Sequence, residues 1–303
     1  MKKLIFPIRF TAILLLLSLV LPGTVDAQKN ADNAIFWEIS GNGLARPSYL
    51  FGTYHLLSGA YLKKLPRVEG AFKAADGVVV ETEMDSSKII QMFSMLVMKD
   101  KKLSDLVSKE DYALLANEIQ KSTGTPIELL GQLKPSFITV MLTVTYARAG
   151  MSSELAEYNG APLDAYFATT GRQKKKVVST FESTEEQMRL LFDHYTDEEQ
   201  ARQLVEFVRS KDEMVAVQDE LLSLYLSGDL NGLYKLYQKY EKRFGDTSWL
   251  LDDRNINWMK QIPAMLDEGN RFIAVGALHL AGKKGLVELL RKEGYTVTAR
   301  QVR

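Results

Sequence analysis

The chain contains no cysteine and only three histidines in 303 residues. The missing cysteine excludes disulfides, thiolate metal sites, cysteine nucleophiles and the lipobox of a lipoprotein anchor. An excess of one charge is missing too. With 38 basic residues against 38 acidic ones, nothing points to a nucleic-acid or anionic-membrane partner. There is no short-period repeat and no low-complexity linker. What remains is ordinary globular composition, 46% apolar and 25% charged, in a chain long enough for one large core or two smaller ones.

The first 27 residues read as a secretory signal. Lys2, Lys3 and Arg9 form a positive start, Thr11 to Leu21 an apolar run, and Val25-Asp26-Ala27 a small-residue cleavage site ahead of Gln28. The apolar run is short of the roughly 20 residues that span a bilayer, which favours cleavage over an uncleaved anchor. Removing residues 1–27 from the 38 basic and 38 acidic residues leaves 35 and 37, a slightly acidic mature protein. Export without cysteine fits a bacterial periplasm or exterior. No membrane contact is expected after cleavage, and residues 28–303 are expected to form a single domain.

Two of the three histidines occupy copies of one motif, Gly-x-x-His, each closing an apolar run. The first is Ser48-Tyr49-Leu50-Phe51-Gly52-Thr53-Tyr54-His55, the second Phe272-Ile273-Ala274-Val275-Gly276-Ala277-Leu278-His279. An apolar run of this length predicts a buried strand, and the glycine permits a bend or a close approach. The histidine then emerges at the strand's C-terminal end, where open α/β sheets place their chemistry.

Residues 34–39 predict a first strand, joined by the turn Ser40-Gly41-Asn42-Gly43 to an antiparallel partner carrying the first motif. Pro66 to Ala75 predicts a helix and Val78 to Glu81 a short buried strand, the opening of an α/β sheet. The middle predicts helices over Met84 to Met98, from Ser108 toward Gly124, over Pro135 to Ala149, and over Ala161 to Thr170 with Gly171 as the stop. Lys176 to Thr180 returns to strand, after a run Lys174-Lys175-Lys176 read as solvated. Ser183 and Thr196 open capping boxes, the second helix running to about Leu226. A helix through Tyr240, a long one over Ser248 to Glu268, a helix over Gly282 to Glu293 and a strand over Tyr295 to Arg300 complete the chain. The expected fold class is α/β, with a central mixed sheet from the N- and C-terminal parts and a large helical middle section.

Three features converge on sheet ends: His55, His279 and the acidic run Glu81-Thr82-Glu83-Met84-Asp85. In an extended chain Glu81, Glu83 and Asp85 share a face. Imidazole nitrogens with carboxylate oxygens suit Zn, Mn, Co or Fe(II), and such a metal would support hydrolysis. The plainer readings are hydrogen-bonded core histidines and acids that favour a helix N-terminus. Arg254-Asn255 reads either as an exposed pair on a helix or as a clamp on a substrate carboxylate or oxyanion. His194 reads as a helix-end histidine, and Met92, Met95 and Met98 as core packing or a pliable groove.

These residues resemble the TraB/GumN family, which includes the Tiki-type metalloproteases. The resemblance runs through the first motif and Ala75-Asp76-Gly77-Val78-Val79-Val80-Glu81, then Pro162-Leu163-Asp164-Ala165-Tyr166-Phe167 and Glu182-Ser183-Thr184-Glu185-Glu186-Gln187. It closes with Asp253-Arg254-Asn255-Ile256-Asn257-Trp258 and Val275 to Leu286. It implies a fold akin to the erythromycin-esterase and ChaN-like group, and peptide hydrolysis dependent on Mn or Co, with Zn a further candidate. His55, Glu81 and His279 become the metal ligands. Glu83 or Glu185 becomes the general base, and Arg254 with Asn255 orients a peptide or small-molecule substrate or its oxyanion. The competing expectations are a peptide-binding protein that sequesters without cleaving, and a metal-independent esterase-like hydrolase. Family likeness specifies the site more firmly than the substrate.

Overall fold

The structure, a computed structural model, describes residues 32–303 apart from 84, 85, 159, 245 and 246. The signal segment and Asp85 lie outside the described residues. Strand β1 (Phe36–Ser40) turns through Gly41, Asn42 and Gly43, all at positive φ, into β2 (Ser48–Thr53). The two pair antiparallel with Phe36 opposite Phe51, the hairpin that the turn residues predict. The other strands are β3 (Gly77–Val80), β4 (Val177–Thr180), β5 (Arg271–Gly276) and β6 (Thr296–Ala299).

They form one mixed sheet in the order β4-β3-β5-β2-β1-β6. Strands β4, β3, β5 and β2 run parallel, while β1 is antiparallel to both β2 and β6. The fold is therefore α/β, with the sheet drawn from both ends of the chain and helices filling the middle. The two Gly-x-x-His strands, β2 and β5, are direct neighbours, with Thr53 opposite Gly276.

Both faces of the sheet are covered, which is why β3 and β5 read as unbroken apolar runs. Alternate residues divide between two cores. Phe51, Val78, Val80, Phe272 and Ala274 pack with Phe72 of α1 (Pro66–Ala74) and Phe167 of α5 (Leu163–Gln173). Leu50, Val79, Ile273 and Val275 pack on the opposite side with Trp258 of α10 (Asp252–Met259), Ile262 of α11 (Ile262–Asp267) and Leu290 of α12 (Leu286–Lys292). A third core lies among helices alone. It joins α3 (Lys109–Thr123), α4 (Pro135–Gly150) and α7 (Asp197–Arg209) through Leu115, Ile119, Ile138, Leu142, Leu204 and Val208. Helix α2 (Ile89–Met95) leaves Ile90 and Phe93 exposed, whereas Met98 is buried in the third core.

Several helix boundaries differ from expectation. The helix expected from Ser248 to Glu268 is a 3₁₀ turn (Ser248–Leu250) followed by α10 and α11. Pro263, at the start of α11, has no N–H to give and its ring would clash with the preceding turn, so one continuous helix cannot pass. The helix expected from Thr196 to Leu226 breaks at Ser210 (ψ 18°) into α7 and α8 (Lys211–Ser227). Helix α5 runs through Gly171 to Gln173, because Gly171 packs on the sheet: a Cβ there would lie 3.0 Å from Val178 Cγ2. Helix α6 (Thr184–Asp193) and α7 begin at the Ser183 and Thr196 capping boxes, as the sequence predicts. Helix α9 (Leu230–Phe244) completes the set used below.

Candidate active site

All four parallel strands end at one edge of the sheet, and each delivers a polar residue just beyond its last position. His55 follows β2, Glu81 follows β3, Glu182 follows β4 and His279 follows β5. The meeting point is Gly276. A Cβ built on it would lie 3.3 Å from Glu81 Oε1, 3.5 Å from His55 Nε2 and 3.6 Å from His279 Cδ2. The backbone N–H of Gly276 also donates to Glu81 Oε1 at 2.7 Å. The glycine of the first motif serves the second in the same way, since a Cβ on Gly52 would come within 2.8 Å of Ala277 Cα. Each glycine is the space that the other motif's turn or ring occupies.

Arg254, on α10, ties the cluster together. Nε donates to Glu182 Oε1 (2.8 Å), and Nη2 to Glu182 Oε2 (3.0 Å) and Glu81 Oε2 (2.6 Å). Nη1 donates to the Leu250 carbonyl (3.2 Å) and faces His279 Nε2 (3.2 Å). A guanidinium has five N–H groups, and here all five are used. Trp258 supports the arrangement from below: its indole N–H donates to Glu182 Oε1 at 2.9 Å and its ring lies 4.4 Å from that of His279. Gln187 of α6 reaches Glu81 Oε2 at 3.4 Å.

Asn255, the next residue on α10, sets the tautomer of His279. Its amide nitrogen donates to the carbonyls of His279 (3.1 Å) and Lys284 (2.9 Å), so its oxygen must face His279 Nδ1, 2.8 Å away. Nδ1 therefore carries the proton and Nε2 presents a lone pair. Burial holds His279 down at about 3, with Glu81 pulling the other way and Arg254 and His55 adding to burial. Burial also works against the charge on Glu81, but His279, protonated in that acid range, the charges of Arg254 and His55 and the Gly276 N–H outweigh it and hold that carboxyl at about 2. Arg254 is a permanent cation, so the state this geometry supports is an ionised Glu81 beside a neutral His279.

His55 is held differently. Its side chain is 61% exposed, and Nδ1 lies 3.0 Å from Asp164 Oδ2 on α5. Partial desolvation of the ring among its neighbours and the charge of Arg254 lower its pKa, yet the hydrogen bond and charge of Asp164, with Glu81, more than offset this and raise it to about 9. Asp164 Oδ1 and Thr53 Oγ1 are buried without a hydrogen-bond partner among the described residues.

Of the expected site residues, His55, Glu81, His279, Arg254 and Asn255 are thus brought together. Glu83 and Glu185 hold partners elsewhere. Arg172 grips Glu83 through Nε and Nη2, and Lys88 Nζ lies 3.4 Å from Glu185. Glu182 and Asp164 belong to the cluster without having stood out in the sequence. In the sequence they stand only within the blocks that carry the resemblance, and only the tertiary fold shows their partners. His194 is exposed at the end of α6 and stacked on Trp249, outside the cluster. A cavity of about 660 Å³ opens beside β1 and β6, lined by Ile35, Tyr61, Leu65, Tyr225 and Val302, and none of the cluster residues lines it.

The donor set fits a divalent ion. His55 Nε2, the ionised Glu81 Oε1 and the Cδ2 edge of the His279 ring surround the space over Gly276, and the Nε2 of His279 is unprotonated. Among the described residues no three His, Asp or Glu side chains stand at ligand spacing as they are; His279 Nε2 lies 3.7 Å from Glu81 Oε1, and Arg254 donates to both residues. The family model described as the TraB/PrgY/gumN family matches residues 35–299. No curated protein and no solved structure was found to match the chain.

Proposed function

The chain belongs to the TraB/PrgY/gumN family, and from that premise we propose that it is an exported, metal-dependent hydrolase acting on peptides. The observation that carries the reading is the convergence of His55 Nε2, Glu81 Oε1 and the His279 ring over Gly276. His55, Glu81 and His279 would hold the ion, Mn or Co by family resemblance. When bound, it supplies polarisation of a carbonyl and a water acidified toward neutral pH.

The chain's own residues do the rest. Asn255 keeps His279 Nε2 bare, and Arg254 keeps Glu81 ionised and aimed. Arg254, set among Glu81, Glu182 and His279, would place a fixed positive charge beside an oxyanion formed at the site. Of the two candidate bases we assign Glu185. Its exposed contact with Lys88 at 3.4 Å is easier to leave than the two-atom grip of Arg172 on Glu83. Export rests on the charged, apolar and small-residue order of residues 1–27. Among the described residues, no helix is long and apolar enough to cross a membrane.

The test starts from chelator-treated protein. Mn or Co should restore cleavage of peptides from a diverse library, and His55→Ala or His279→Ala should abolish it. Glu81→Gln keeps the shape and removes the ligand charge, so full activity in that variant would remove Glu81 from the ligand set. Protein that binds no metal and cuts no peptide would instead be a sequestering protein. Cleavage that survives chelation would make the reaction metal-independent. Intact-mass measurement of the natively produced protein should show residues 1–27 missing.

A further inference from the structure

The two histidines of the site are secured by unlike means. His279 is 3% exposed, stacked on Trp258 and tied to Asn255, so packing alone leaves its ring one orientation. His55 lies beyond the end of β2 with most of its side chain in solvent, and among the described residues its one hydrogen bond is to Asp164. An exposed imidazole without such a tether samples several rotamers.

Asp164 itself is oddly placed for a residue of the first turn of α5. An acid there ordinarily accepts from free backbone N–H groups or stays solvated. Here Oδ1 is buried without a partner among the described residues, and Oδ2 is engaged by the ring of His55. Burying a carboxylate oxygen unpaired costs free energy, and helix capping does not recover it here. Neither oxygen is left for a substrate.

We infer that Asp164 is the positioning residue of His55: it accepts the Nδ1 hydrogen and so turns Nε2 toward Glu81 and Gly276. The inference deepens the proposed two-histidine site and rests on that reading for its link to metal. A carboxylate behind a ligating imidazole fixes the ring's orientation and strengthens it as a donor. The site is then built symmetrically in chemistry though not in residue type, with Asp164 behind one Nδ1 and Asn255 behind the other.

The experiment uses the full chain in wild-type, Asp164→Ala and Asp164→Asn forms, labelled with ¹⁵N-histidine. With only three histidines, each ring can be assigned. In metal-free wild-type protein, the His55 Nδ1 hydrogen should be protected from exchange. In Asp164→Ala that signal should vanish while the one from His279 persists, which also shows that the variant is folded. Asp164→Asn can still accept through its oxygen and should recover part of the signal. Titration with Mn or Co should then show affinity about 10- to 100-fold weaker for Asp164→Ala, with Asp164→Asn between. A His55 signal that survives Asp164→Ala overturns the inference, as does a lost signal with unchanged metal affinity. If wild-type protein takes up neither metal, the metal reading fails and the ring signals alone decide. Their loss in Asp164→Ala then sustains the positioning role, and their persistence overturns it.

Discussion

The side-chain oxygen of Asn255 lies 2.8 Å from His279 Nδ1 and can face nowhere else, because the amide nitrogen is bound to two carbonyls. One residue thus fixes a tautomer and satisfies two buried acceptors. Asn255→Ala should lose about 1–3 kcal/mol of stability for the groups left unpaired. It should also weaken metal binding about 10- to 100-fold. Urea unfolding and calorimetric titration measure the two effects separately, and unchanged metal affinity would reduce Asn255 to a structural role.

Arg254 stands between two acids, Glu81 and Glu182, and is 8% exposed. Arg254→Met keeps much of the volume and leaves the buried Glu81 and the partly buried Glu182 without their cation. The expected cost is about 3–5 kcal/mol, read as a lower urea midpoint at constant slope. Arg254→Lys should rescue little, since one ammonium cannot reproduce five planar donors.

Gly276→Ala separates the site from the fold. The backbone there is at φ −52°, which alanine adopts freely, and the nearest neighbours of the new methyl are the site atoms at 3.3–3.6 Å. Stability should stay within about 1 kcal/mol of wild type. Hydrolysis should fall about 100-fold or more, because the methyl occupies the space where the ligands meet. A variant with normal turnover would show that this space is not the reaction centre.

The two site histidines impose opposite pH slopes on metal-free protein. His279 is held at about 3, below its ordinary 6.5, so the unfolded chain binds the extra proton between these values and stability falls as pH drops through them. His55 is raised to about 9, so its contribution is present below 6.5 and is lost as pH rises through 9. From these two groups alone stability peaks near pH 6.5. Unfolding midpoints across pH 3–10 should show both limbs, with His279→Gln flattening the acid limb and His55→Gln the alkaline one. A limb unchanged by its own substitution would assign that slope to other groups.

Much of this was legible in the sequence because the relevant signals are local. Apolar runs ending in Gly-x-x-His gave β2 and β5, and Ser183 and Thr196 marked helix starts by hydrogen bonds within four residues. The break in the last long helix was open to reading at Pro263, although one continuous helix was expected from Ser248 to Glu268. The break at Ser210 was not: its flanks are good helix formers, and there the chain turns between α7 and α8, both of which pack against α4. Glu182 and Asp164 were hidden for a related reason. A first-turn or cap-adjacent acid has an adequate local explanation, and its real partner lies on a distant strand or helix.

The placement of polar residues one to three positions beyond four parallel strands has a consequence for the life of the chain. His55 and His279 come from opposite ends of the polypeptide, and no fragment or half-closed sheet holds both. A newly made chain therefore carries no complete cluster until β5 has slotted between β2 and β3, late in the order of synthesis. If the proposed exported hydrolase holds, that delay keeps its site incomplete until the last third of the chain has arrived and folded.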